Sequence, residues 1–160
     1  MTPAIKLLQE LNIDFSLREY DSRNHESNFG LAAASALQQD AHQVFKTLLA
    51  TLDGNHRKPV VALVAVADQL DLKKLASTAS ARKATMADPP LAQKATGYVV
   101  GGISPLGQRQ KLPTYIDESA QLFETIFVSG GKRGLQIEIC PATLCKLLQG
   151  HFAPIAKLSQ

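Results

Sequence analysis

The segment that most restricts the fold is Pro59 to Ala67, read PVVALVAVA, a near-continuous apolar run. A strand without polar alternation needs cover on both faces, so this one predicts a sheet interior with chain packed above and below it. The stretch before it, Val44 to Leu52, also reads as a strand, and Asp53-Gly54-Asn55 marks a turn between the two. Further strands are predicted at Ile13–Tyr20, where apolar and polar residues alternate as in a half-buried strand, at Lys83–Met86, and at 98–100. Others are expected near Thr114–Ile116 and at Phe123–Val128 and Leu135–Ile139.

Helix signals fall between these strands. Thr2-Pro3 before Ile5, Leu7, Leu8 and Leu11 gives an N-cap and a first-position proline. Phe29 opens an alanine-rich helix to about Leu37, after a polar loop at Asp21–Asn28, and Ala41–Val44 adds a short turn. Asp71 starts an amphipathic helix with Leu72, Leu75 and Ala76 on one side. Asp88-Pro89 caps another helix, which Gly97 ends, and Pro141 begins the last, with Leu144, Leu147 and Leu148 on one face. Interspersed helices and strands predict a mixed α/β (α+β) fold, and no linker or repeat divides residues 1–160, so one domain is expected.

Composition narrows the class. A chain of 160 residues with 45% hydrophobic and 19% charged residues is ordinary for a soluble globular protein. The net charge of +3 is compatible with a basic face but is too small to declare nucleic-acid binding. The start, Met-Thr-Pro, lacks a signal-peptide profile, and the longest apolar run is far below the roughly 20 residues of a membrane span. A cytoplasmic protein is expected. The scattered histidines His25, His42, His56 and His151 and the pair Cys140 and Cys145 show no metal-ligand spacing, so no metal and no cofactor are expected. Apolar neighbours around both cysteines predict packed, unreactive thiols.

Four segments carry residues suited to chemistry. Lys46 interrupts the apolar stretch Val44-Phe45-Lys46-Thr47-Leu48. A lysine there is either a solvent-facing residue of an alternating strand or a cation in a cavity, where low dielectric strengthens its field on an ester or phosphate. Gly101-Gly102-Ile103-Ser104-Pro105-Leu106-Gly107 is either a plain turn or a loop whose backbone N–H groups face a ligand. Ser104 does not sit in a G-x-S-x-G elbow, since Leu106 stands where the second glycine belongs. Ser129-Gly130-Gly131-Lys132-Arg133-Gly134 is either a hairpin turn with solvated charges or a phosphate contact; it is not a Walker loop. Met86-Ala87-Asp88-Pro89 is explained by helix capping. Tyr20 and Phe29 flank the first polar loop as core or rim aromatics.

Taken together and in this order, these segments resemble the YbaK family of free-standing aminoacyl-tRNA editing proteins, relatives of the editing domain of bacterial prolyl-tRNA synthetase. The resemblance spans nearly the whole chain, from Thr2-Pro3-Ala4 to the final helix. It implies a twisted mixed sheet curled into a partial barrel and surrounded by helices. It also implies hydrolytic editing of a mischarged tRNA, with Cys-tRNA(Pro) as substrate and Cys-tRNA(Cys) as a further one. The runner-up readings are an Ala-tRNA(Pro) deacylase and a non-catalytic aminoacyl-tRNA or nucleotide-binding module.

The same resemblance makes Lys46 the essential lysine and Gly101 its catalytic companion. It puts Tyr20, Phe29 (within Ser27-Asn28-Phe29-Gly30), Thr47, Gly102, Ile103, Ser104, Pro105, Ser129 and Gly130 around the aminoacyl pocket. Lys132 and Arg133 become tRNA contacts. Gln136 stands where family members often carry Asp, which bears on substrate preference. No catalytic dyad is needed, because a cysteinyl ester carries its own nucleophile; the Gly101 and Gly102 amides would then hold the oxyanion. A complex with prolyl-tRNA synthetase and tRNA would supply tRNA selectivity; membrane and DNA partners are not expected.

Overall fold

The computed structural model describes residues 1–21 and 29–158. Most of the expected polar loop, including Ser27 and Asn28 of the aromatic motif, lies outside the described residues. In chain order the first elements are α1 (Pro3–Glu10), β1 (Ser16–Glu19), α2 (Phe29–Ala36), β2 (Phe45–Leu52) and β3 (Val60–Ala65). Next come β4 (Gln69–Leu70), α3 (Leu72–Thr78), β5 (Ala84–Met86), α4 (Pro89–Thr96) and β6 (Thr114–Asp117). A 3₁₀ turn at Glu118–Leu122 leads to β7 (Ile126–Ser129) and β8 (Leu135–Ile139). The last elements are α5 (Pro141–Leu148), β9 (His151–Ala153) and β10 (Ala156–Lys157).

The sheet is mixed, as expected. Five strands run in the order β5-β2-β3-β6-β9, antiparallel across β5-β2-β3 and parallel from β3 to β9. All six residues of β3 are buried. Its period-2 geometry splits them between two apolar clusters. Val61, Leu63 and Ala65 join α1, α4, α5 and the β7–β8 hairpin, while Val60, Ala62 and Val64 join α3 and Ile155. Truncating Leu63, fully buried, to Ala is worth about 2–5 kcal/mol by the usual cost of emptying a core position. The β2–β3 turn uses left-handed Asp53 (φ 51°) and Gly54 (φ 74°), the conformation that its Asp-Gly pair tolerates.

A second sheet, β1-β8-β7, is antiparallel. It meets the first where Val44 bridges Phe127 and the Phe127 amide donates to the Gln43 carbonyl at 3.1 Å. The two sheets wrap around the larger core without closing into a barrel. Side-chain caps fix the helices: Thr2 accepts from the Ile5 amide, Asp71 from that of Lys74 and Asp88 from that of Leu91. Gly97, at φ 82°, ends α4. No helix of the described residues is long and apolar enough to cross a membrane.

Several sequence expectations need correction. Residues 98–100 form no strand. The Tyr98 amide donates to Thr96 Oγ1, that of Val100 to Gln93 Oε1 and that of Gly102 to the Val99 carbonyl, so local turn partners take two donors and an acceptor that a ladder would use. The half-buried strand expected at Ile13–Tyr20 is the short edge strand β1, exposed throughout; Ile13 and Phe15 before it pack on the core instead. Cys140 is exposed, not packed, because the buried side of β8 ends with Ile139. Hydrogen bonding from the Thr143 amide draws its thiol below the ordinary range, whereas burial pushes that of Cys145 up. Strands β4, β9 and β10 and the 3₁₀ turn are too short for periodicity to reveal.

Candidate functional site

A cavity of about 320 Å³ opens between the two sheets. Its floor is Val44 and the start of β2, through Leu49. Met86, Ala87, Pro89 and Ala92 of the β5–α4 junction form one wall. Tyr20, Phe29, Gly30, Val100, Gly101, Ile103, Ser129 and Gln136 complete the rim. The lining is largely apolar, as ligand pockets are, with a few convergent polar groups.

Lys46 is the only charged residue among the described residues lining the cavity. Its ammonium donates to the Asp68 carbonyl oxygen at 2.9 Å, which fixes its position across 22 residues of chain. Burial lowers its pKa below the ordinary lysine value, and the Asp68 charge partly opposes the shift. Two neutral groups join it. Thr47 Oγ1 and Gln136 Oε1 are buried without a hydrogen-bond partner among the described residues, and both residues line the same cavity. An unpaired buried polar atom costs about 1–3 kcal/mol, so these two are suited to pair with a bound ligand. Gln136 is only 7% exposed and lies opposite Ser129 in the β7–β8 ladder.

The glycine loop divides into two parts. Gly101, at φ 92°, borders the cavity with Ile103. Gly102 faces the other way: a Cβ there would lie 2.7 Å from Lys132 Cα, and its amide is already spent on Val99. It is not available as an oxyanion donor. Ser104 is fully buried, its Oγ accepting from the Leu106 amide at 3.2 Å, and Pro105 is buried beside it. The Tyr98 hydroxyl donates to the Leu106 carbonyl at 2.6 Å, and burial pushes its phenol up to about 12, so it remains a donor at any working pH. Gly130 donates to the Leu135 carbonyl at 2.8 Å and accepts from the Thr2 hydroxyl. Gly102, Ser104, Pro105 and Gly130 therefore frame the site without lining it.

Of the other residues singled out from the sequence, Tyr20, Phe29, Lys46, Thr47, Gly101, Ile103 and Ser129 come together around the cavity. Lys132 and Arg133 are exposed and do not line it. Met86, Ala87, Pro89 and Ala92 line the cavity as well, although in the sequence the Asp88-Pro89 cap accounts for that segment without a ligand. Among the described residues no group of His, Cys, Asp and Glu is arranged to hold a metal ion.

Residues 30–147 match the aminoacyl-tRNA editing domain, and the chain belongs to that family. It is 36% identical to the protein assigned as Cys-tRNA(Pro)/Cys-tRNA(Cys) deacylase EbsC of Enterococcus faecalis (strain ATCC 700802 / V583), over 96% of this chain and 92% of that one. The fold is shared with a crystal structure assigned as a trans-editing enzyme for prolyl-tRNA synthetase, at TM-score 0.81 and 21% identity over 98% of both chains. A hypothetical protein of known structure superposes at TM-score 0.85 with 15% identity, over 97% of this chain and 99% of its own.

Proposed function

We propose that this protein is a trans-editing deacylase that cleaves the ester of Cys-tRNA(Pro), with Cys-tRNA(Cys) as a second substrate. The whole chain acts as one editing domain. The observation that carries the reading is Lys46, the one cation among the described residues that line an apolar cavity in a member of the editing family. A cation held in low dielectric acts on developing negative charge far more strongly than one in water.

The substrate supplies the nucleophile. Its thiol attacks its own ester carbonyl, a sulfur–carbon bond forms, and the bond to the terminal ribose oxygen breaks. The thiol proton passes to that oxygen, and the released thiolactone opens in water. The protein has to hold the reactive conformer and stabilise the oxyanion. Lys46 serves the terminal nucleotide and the developing charge, and the Gly101 amide, which no described group takes, serves the oxyanion. Thr47 and Gln136 pair with polar atoms of the aminoacyl group; Tyr20, Phe29, Ile103 and Ser129 shape its pocket. Lys132 contacts tRNA.

Cysteine and proline are close in size, so a synthetase pocket separates them poorly and a second site is chemically sensible. Selection of tRNA is assigned to a cytoplasmic complex with prolyl-tRNA synthetase. The test is deacylation of Cys-tRNA(Pro), Ala-tRNA(Pro), Pro-tRNA(Pro) and Ser-tRNA(Pro), the last replacing thiol by hydroxyl. Loss of cysteine alone is expected. Equal loss of serine would replace the thiol by an activated water, loss of alanine alone would change the substrate, and binding without turnover would leave a binding module.

A further inference from the structure

Arg133 reads in the sequence as a tRNA contact, yet its exposed side chain is already committed to partners within the protein. Nε and Nη2 both donate to the Val100 carbonyl, at 3.1 and 2.9 Å. The guanidinium carbon lies 4.3 Å from the centroid of the Phe29 ring. A Cβ on Gly101 would stand 2.7 Å from Arg133 Nε and 2.9 Å from Phe29 Cδ2, so all three residues meet at one point. The turn that delivers Arg133 is itself packed on the loop, since a Cβ on Gly102 would lie 2.9 Å from the Arg133 amide nitrogen. Arg133 does not line the cavity, but Val100, Gly101 and Phe29, which it touches, all do.

We propose that Arg133 is a positioning residue of the editing site: it clamps Phe29 against Gly101 and so sets the wall on which the aminoacyl ester lies. The chemistry explains the choice of arginine. A planar guanidinium can send two N–H groups to one carbonyl while stacking on an aromatic face, and a lysine ammonium offers no such fork. The proposal rests on the deacylase reading for its activity readout, and on charge counting for a second readout that does not need activity.

The experiment compares Arg133→Ala, Arg133→Lys, Lys132→Ala and Phe29→Leu in deacylation of Cys-tRNA(Pro) and of cysteinyl-adenosine, an ester without phosphate. Melting curves first establish that each variant is folded. The clamp predicts that Arg133→Ala lowers kcat about 100-fold, as misplacement of a reacting group does, with KM nearly unchanged. The loss persists on the phosphate-free ester, lysine does not rescue it, and adding Phe29→Leu makes it little worse. The salt dependence of tRNA binding stays that of the wild type, whereas Lys132→Ala reduces the slope by about one. A reduced slope in Arg133→Ala, a raised KM with kcat kept, or rescue by lysine would overturn the clamp. If the wild type cleaves no aminoacyl-tRNA, the deacylase reading fails and the positioning role fails with it; if it cleaves and Arg133→Ala reduces the salt slope of tRNA binding, the clamp alone is overturned.

Discussion

The start of β2 and the glycine loop at 101–107 both stand out in the sequence, and the fold uses them in opposite ways. In β2 the conspicuous residue, Lys46, turns into the cavity and is anchored there by the Asp68 carbonyl. In the loop most conspicuous residues turn away: Gly102 packs on the 130–134 turn, and Ser104 is sealed in the core. A charged group in an apolar strand costs folding free energy unless it is paired or hydrogen-bonded, so its presence points to a use other than packing. Glycine and proline have a second, structural use in letting two backbones touch. A lysine that breaks an apolar pattern is therefore the sharper signal of a site, and a glycine loop the blunter one.

That contrast breaks most visibly at the residues on either side of it. Lys46 should set an alkaline limit on turnover below the ordinary lysine range, because burial lowers its pKa. The sign for stability follows from the same shift. Between its folded pKa and the unfolded value of about 10.4 the unfolded chain binds more protons, so stability from this group rises with pH across that window. A pH series of melting curves should show that rise in the wild type and its loss in Lys46→Met.

Gly101→Ala comes next. A left-handed φ of 92° and a Cβ pressed on Arg133 and Phe29 predict a fall in kcat of about 10- to 100-fold with a modest loss of stability. Gln136→Leu removes an unpaired buried acceptor, so the fold should hold or gain stability while kcat/KM for cysteine falls about tenfold, read in steady-state kinetics. The smallest effects on chemistry belong to the frame. Tyr98→Phe and Ser104→Ala should each cost about 1–3 kcal/mol in denaturant unfolding and leave turnover per folded molecule intact. Loss of turnover in a folded Ser104→Ala protein would return the whole loop to the site.

Much of this architecture is legible in the sequence because the signals are local. Strand β3 announces itself by unbroken apolar residues and β2 by an apolar stretch that Lys46 interrupts, and Thr2, Asp71 and Asp88 announce the helices they cap. The misreadings have equally specific causes. Tyr98-Val99-Val100 has strand propensity, but Gln93 of the preceding helix claims the Val100 amide and the Gly102 amide claims the Val99 carbonyl. The exposed thiol of Cys140 follows from the exact residue at which β8 ends. Around the cavity, Lys46 is legible as an anomaly, whereas Met86, Pro89 and Ala92 are apolar residues whose exposure to a pocket depends on how two sheets meet. Arg133 is legible as a charge, but its carbonyl and aromatic partners lie in other segments, 33 residues away at Val100 and further at Phe29.

The central claim is that the anchored ammonium of Lys46 carries ester cleavage in this cavity. Single-turnover deacylation of Cys-tRNA(Pro) by wild type and Lys46→Met, on samples with matching melting curves, addresses it directly. The account predicts cleavage by the wild type and none above the uncatalysed rate in the variant. Undiminished cleavage by a folded Lys46→Met protein would contradict it.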